Sequence, residues 1–157
     1  MSHRGLIVRL FKSWPAAMAI TCAILAGCET AGSVDTVPAT GVVTLDGKPI
    51  AGVSMTLVPQ EGVKGRGGYA VTGEDGSYSF QVDPETQGVP AGYYRVLLQK
   101  YAMPDGSPIP QGASAADAGM INVLPPVYSN PEESQVWVTF PSADGQGIPI
   151  DLKSRPR

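Results

Sequence analysis

Histidine and cysteine are nearly missing from this 157-residue chain. The only histidine is His3, and the two cysteines are Cys22 and Cys28. Any domain built from the residues after Cys28 therefore has no imidazole and no thiol. That excludes Ser-His-Asp and Cys-His nucleophilic systems and histidine-containing zinc sites there, and such a domain is stable without disulfides. A long hydrophobic run is also lacking. Ser13 to Gly27 is uncharged and mostly apolar, but a helix that spans a bilayer needs about 20 such residues. Basic residues are few, eleven against fourteen acids, for a net charge of −3. A nucleic-acid binder carries a basic patch, so no nucleic acid is expected as a partner.

What is present at the start of the chain is ordered by charge. His3, Arg4, Arg9 and Lys12 precede the apolar run, and no acid occurs before Glu29. A basic start followed by a short apolar segment is the layout of a secretory signal peptide, expected here over 1–27. An N-terminal core helix is the other reading, but nothing polar alternates with the apolar positions to make a solvent face. The run ends Leu25-Ala26-Gly27-Cys28, which resembles the bacterial lipobox. The resemblance implies cleavage before Cys28, a diacylglyceryl thioether on its sulfur and a further acyl chain on the new amine. Two or more chains, at about 0.8 kcal/mol per buried methylene, hold a protein stably to a membrane where one does not. On this reading Cys22 leaves with the signal, Cys28 is the lipidation site, and the two never pair. The protein is then exported and anchored to the cell envelope through Cys28.

Removal of 1–27 takes Arg4, Arg9 and Lys12 away and leaves eight bases against fourteen acids, near −6 over 130 residues. That length suits one domain. Residues 28–38, "CETAGSVDTVP", are small and polar without periodicity, and read as a flexible tether of at most roughly 35 Å. The folded domain is expected over 39–153. Glycine and proline make 34 of the 157 residues and recur between short β-rich runs, which favours many strands and turns. Val43 and Leu45 share a face before the turn signal Asp46-Gly47. Val53, Met55 and Leu57 alternate with Ser54 and Thr56. Gly65 to Thr72 is a weaker, glycine-rich strand. Glu74 to Ser77 turns into Tyr78, Phe80 and Val82. Tyr94, Val96 and Leu98 lie opposite Tyr93, Arg95 and Leu97. Val136, Val138 and Phe140 alternate with Trp137 and Thr139, and Ile148, Ile150 and Leu152 close the series. Seven strands without a convincing helix indicate an all-β, antiparallel sandwich.

Residues 101–133 interrupt this pattern. Six prolines and three glycines oppose regular structure, although "ASAADAGM" suits a helical turn. A loop of this length in a small domain is commonly functional or disordered. Between Lys100 and Lys153 there is no base but six acids: Asp105, Asp117, Glu132, Glu133, Asp144 and Asp151. They read as a solvated flank or as a surface for a cationic partner or divalent metal.

"GVVTLDGKPIAGVSMTLVP", "AVTGEDGSYSF", "GVPAGYYRVLLQK" and "LPPVYSNPEESQVWVTF", in this order, resemble the small bacterial lipoproteins with a carboxypeptidase-regulatory-like, transthyretin-like domain. The resemblance covers nearly the whole chain after Cys28 and implies a seven-stranded Greek-key sandwich of the prealbumin type. Asn130 replaces the usual aspartate before Pro131, and Ala91 replaces a proline before Gly92. Turn chemistry explains Asp46-Gly47 and Asp75-Gly76, Gly92 relieves strain where a central strand begins, and Leu124 to Tyr128 pins the long loop to the sheet.

Fold likeness is weak guidance to function. Hydroxyisourate hydrolases of related fold resemble a set of histidines with a C-terminal Tyr-Arg-Gly-Ser, whereas this chain ends Lys153-Ser154-Arg155-Pro156-Arg157. An isopeptide crosslink needs a buried lysine and a shuttling glutamate on strands, but Lys48 sits in a turn. "GEDG" lacks the spaced carboxylates of a calcium loop. No catalytic residue, metal or cofactor is expected. The expectation is a lipid-anchored, non-catalytic sandwich for structural or adhesive contact with an envelope protein. The alternative is a carbohydrate-binding module on an envelope polysaccharide, and an uncharacterised hydrolase stands third. Tyr93, Trp137, Tyr101 and Tyr128 are the candidate binding residues, because exposed aromatics serve as platforms.

Overall fold

The computed structural model describes residues 35–107, 109, 112, 114 and 118–156. The expected signal peptide (1–27), Cys28, most of the tether, and Asp117 with part of the expected helical turn lie outside the described residues. In that segment the Ala118 N–H donates to the Ser114 carbonyl at 3.1 Å.

Among the described residues fourteen strands follow one another: β1 (Thr36–Val37), β2 (Thr40–Leu45), β3 (Lys48–Pro49), β4 (Ser54–Pro59), β5 (Tyr69–Val71), β6 (Ser77–Ser79), β7 (Gln81–Asp83), β8 (Thr86–Gln87), β9 (Val89–Pro90), β10 (Gly92–Gln99), β11 (Tyr101–Ala102), β12 (Ile121–Asn122), β13 (Trp137–Phe140) and β14 (Ile148–Leu152). One sheet runs β13-β10-β4-β5-β7-β8 and is antiparallel throughout. In the other, β2 pairs with β14 on one side and with β3 and β6 on the other. The protein is all-β with curled, mainly antiparallel sheets. The β2–β14 pair is the exception, running parallel with Gly41 beside Ile148 and Leu45 beside Leu152. Neither of these distant segments records its direction relative to the other in local alternation.

The core faces are those the alternation indicated. Val53, Met55 and Leu57 from β4 and its approach, Tyr94, Val96 and Leu98 from β10, Val138 and Phe140 from β13, and Ile150 and Leu152 from β14 are buried in one cluster. Each contributes about 1.5–3 kcal/mol through removal from water. Thr72 and Ser134, the buried polar residues among those described, are both satisfied. Thr72 Oγ1 donates to the Ile50 carbonyl at 2.7 Å and accepts from Val53 N–H at 2.9 Å, and Ser134 Oγ donates to the Val96 carbonyl at 2.7 Å.

Asp46 and Gly47 have φ of 51° and 80°, so both central residues of the β2–β3 hairpin are left-handed, as a two-residue turn of matching twist demands. The "YSFQV" run is not one strand. It breaks at Phe80, β6 joining β2 in one sheet and β7 joining β5 in the other. Phe80 N–H donates to the Ala39 carbonyl at 2.8 Å, and its carbonyl accepts from Gly88 N–H at 2.9 Å. A side chain at Gly92 would put Cβ 2.5 Å from Val63 Cγ2, so close approach of the preceding loop holds that position to glycine.

Two segments are more ordered than their composition indicates. Thr36–Val37, within the expected tether, pairs with Val89–Pro90. The long loop is closed at its base where β11 pairs with β12, and Asn122 Oδ1 accepts from the Lys100 and Leu124 amides, both at 3.1 Å. A 3-10 turn, Pro126–Tyr128, then brings the chain back onto the core with Leu124 buried.

These groups set the pH response. Burial pushes the Tyr78 hydroxyl, and to a lesser degree that of Tyr94, above the ordinary phenol value. Stability from keeping them neutral is present below about pH 10 and is lost as pH rises beyond it. Asp46, Asp75 and Asp83 are held below the ordinary carboxylate range chiefly by side-chain hydrogen bonds with Ser154, Ser77 and Thr86. Their contribution is present above about pH 4 and is lost as pH falls through and below it. With His3 the only imidazole, denaturant midpoints are expected to be flat between about pH 5 and 9 and to fall on both sides. Tyr78→Phe should weaken the alkaline fall, and an unchanged alkaline limb would refute the assignment.

Candidate functional site

The outer face of the larger sheet carries the aromatic residues. Antiparallel register sets Arg95 of β10 directly opposite Trp137 of β13, with Tyr93 opposite Thr139. All four side chains point away from the core, because their neighbours Tyr94, Val96, Val138 and Phe140 point into it. The Tyr93 and Trp137 rings stack with centroids 5.1 Å apart and planes 11° apart. Arg95 Cζ lies 4.4 Å from the Trp137 ring centroid, within cation–π range. Tyr93 is 45 % exposed and Trp137 37 %. Arg95 Nε is buried and has no hydrogen-bond partner.

The apolar surface continues across the face. Thr56 pairs with Leu97 on one side and with Tyr69 on the other, and Tyr69 and Val71 are exposed. Arg95 and Tyr69 were not among the expected site residues. Alternation already set Arg95 beside Tyr93, but its approach to Trp137 depends on the β10–β13 register. Tyr69 lies in the glycine-rich strand whose pattern is weakest, and its hydroxyl accepts from Gln81 Nε2 at 2.8 Å.

The other two candidates do not join this cluster. Tyr101 is exposed but lies at the far end of the β10–β11 run, six residues from Arg95 or roughly 20 Å along the strand. Its hydroxyl donates to Gln99 Oε1 at 3.1 Å. Tyr128 is a correction, for it is buried at 8 % exposure. The 3-10 turn directs it inward, where its hydroxyl donates to the Lys153 carbonyl at 3.1 Å and accepts from Lys153 N–H at 2.8 Å. Tyr128 locks the end of β14 and is no platform.

The acidic residues serve local turns. Asp105 accepts from Ser107 N–H and Asp144 from Gln146 N–H, each at 3.0 Å, which holds both carboxyls below their ordinary range. Asp151 accepts from Thr44 Oγ1 across the parallel pair. Among the described residues no three acidic side chains gather as a metal site. An open depression of about 430 Å³, lined by Asp35, Gly62, Lys64, Pro90 and Ala91, lies at the chain's approach to β1. A second, of about 720 Å³, lies beside β2 and β14 and includes Asp144. Compared with protein-family models, with curated proteins and with solved structures, the chain matches none.

Proposed function

We propose that this chain is a lipid-anchored protein of the bacterial cell envelope, held through Cys28, whose non-catalytic sandwich makes protein contacts through the outer face of its larger sheet. The observation that carries the reading is the Tyr93–Trp137–Arg95 cluster. Tryptophan, tyrosine and arginine are the residue types that dominate binding energy at protein interfaces. Here all three stand together on an exposed face. The transthyretin-like reading draws support from strand order, with β6-β2-β14 in one layer and β5-β4-β10-β13 in the other, and with the chain crossing between layers after β3, β5, β6 and β13.

A carbohydrate-binding module is the second reading, favoured by the clustering of Tyr93 and Trp137 on one face. Against it, the Trp137 ring is already engaged by both Tyr93 and Arg95.

The test is photo-crosslinking of the full-length protein in intact envelopes, followed by identification of the captured species. Trp137→Ala should reduce capture of one protein by about 30-fold, the effect of a hot-spot residue worth about 2 kcal/mol. Replacement of 103–120 by a short Gly-Ser linker should leave capture unchanged. Equal capture by Trp137→Ala would sink the proposal, and capture of polysaccharide alone would move it to the second reading.

A further inference from the structure

The edge of the sheet beside this cluster has a definite hydrogen-bonding state. Val96 N–H donates to the Val136 carbonyl at 2.8 Å, and the same register pairs Tyr94 with Val138 and Gly92 with Phe140. In an antiparallel ladder, bonded and non-bonded pairs alternate. Residues 138 and 140 therefore direct their N–H and C=O groups toward β10, as does the Val136 carbonyl, while the Val136 N–H donates to Ser134 Oγ at 3.4 Å. Trp137 and Thr139 direct theirs the other way, and among the described residues β13 pairs with β10 alone. Each of these two residues offers one donor and one acceptor along an exposed border.

Edges of this kind are normally blunted by proline, lysine, shortness or a covering segment. The other borders of the two sheets show these devices. β14 contains Pro149 and its end is covered by Tyr128, β3 is Lys48–Pro49, and β6 and β8 have only three and two residues. β13, "WVTF", has neither proline nor charge, and only the following Pro141 ends the border. The face beside it is electrostatically one-sided. Among the outward-facing residues of β13, β10, β4 and β5, none is acidic and Arg95 is the one cation. Its contact is with Trp137, and no carboxylate of the described residues pairs with it.

We propose that an extended, acidic segment of a partner protein adds to β13 as the next strand of the sheet. The proposal rests on the protein-contact reading and gives it a mode. Trp137 and Thr139 supply main-chain hydrogen bonds, and alternate side chains of the incoming strand fall on the outer face. One apolar side chain packs on the part of Trp137 left exposed beside Tyr93 and Arg95, and a carboxylate two residues along meets the Arg95 guanidinium, a pairing stronger than one between neutral groups. Phe140 marks the end of the ladder, because Pro141 has no N–H to offer.

The test uses a random hexapeptide display library selected on the full-length protein. Enriched peptides should alternate apolar and acidic residues. Thr139→Pro deletes one outward N–H while sparing the bonds to β10, and edge strands tolerate proline in that orientation. It should weaken an enriched peptide by about tenfold or more, whereas Thr139→Val, which keeps the N–H, should bind within about twofold of the parent. Amide exchange on the unsubstituted protein gives a second readout if Thr139→Pro misfolds. The Trp137 and Thr139 amides should exchange freely alone and become protected by the peptide. No enrichment, equal binding by Thr139→Pro, or no protection of these amides would overturn the proposal. Loss with Trp137→Ala but not with Thr139→Pro would refute strand addition and leave the face as a contact surface. Self-association that protects the same amides would replace the acidic partner with a second copy of the chain.

Discussion

Phe80→Ala is expected to destabilise the domain by about 3–5 kcal/mol, most of the stability of an ordinary small domain. Three features set this size. Phe80 is completely buried, so its loss leaves a cavity as well as forfeiting transfer energy. Its ring packs edge-on against Tyr78, with centroids 5.1 Å apart, and against Phe140 at 6.0 Å, each pair adding about 0.5–1.5 kcal/mol. Its peptide also lies where the chain passes from β6 in one sheet to β7 in the other, bonded to Ala39 before it and Gly88 after it. Urea unfolding of the variant measures the loss directly. A cost below about 1 kcal/mol would mean that the two sheets are held together elsewhere.

Gly41→Ala should cost about 3 kcal/mol or more, at or above the usual range for overpacking. An added methyl would lie well inside contact distance of the Ile148 carbonyl oxygen and 2.6 Å from the Tyr78 hydroxyl. These two groups are themselves bonded, Tyr78 donating to Ile148 at 2.7 Å, so Gly41 forms the floor beneath a bond that joins β6 to β14 across β2. The methyl forces β2 and β14 apart and breaks that bond. Tyr78→Phe alone should cost about 1 kcal/mol. In combination with Gly41→Ala it should cost less than the sum, because the methyl already breaks the bond that the hydroxyl makes to Ile148. Strict additivity in the double-mutant cycle would contradict this geometry.

Local chemistry made much of the architecture legible in advance. The Asp46-Gly47 and Asp75-Gly76 signals mark real turns, with Gly47 and Gly76 left-handed and Asp75 accepting from Ser77 N–H at 3.0 Å. The alternations through Met55, Val96 and Val138 assign the buried faces, since a residue's side of a sheet follows from parity alone. What parity cannot give is partnership. Tyr78, Phe80 and Val82 alternate as one strand, yet their hydrogen bonds go to different sheets. The parallel direction of β14 depends on a segment more than a hundred residues away.

The same distinction runs through the site. Parity placed Tyr93 and Trp137 outward correctly, but the stack and the Arg95 contact require the register in which Arg95 opposes Trp137. The sequence around Tyr128 is compatible both with a residue that pins the loop and with an exposed aromatic. Its two bonds to Lys153 decide for the first role. The short β11–β12 pairing was hidden for a physical reason. Two residues on each side carry too little pattern to be seen among prolines and glycines, and they are held by Asn122 contacting the Lys100 and Leu124 amides.

The most direct measurement is the crosslinking yield from a photoreactive residue placed at Thr139 in the full-length protein, compared with the same residue at Thr44 on the other sheet. Thr139 borders the aromatic cluster and is exposed, whereas Thr44 is engaged with Asp151. A single protein adduct from position 139, absent from position 44 and lost on Trp137→Ala, is the predicted result. Equal adducts from both positions, or none from 139, would contradict the claim that this face is a protein-contact surface.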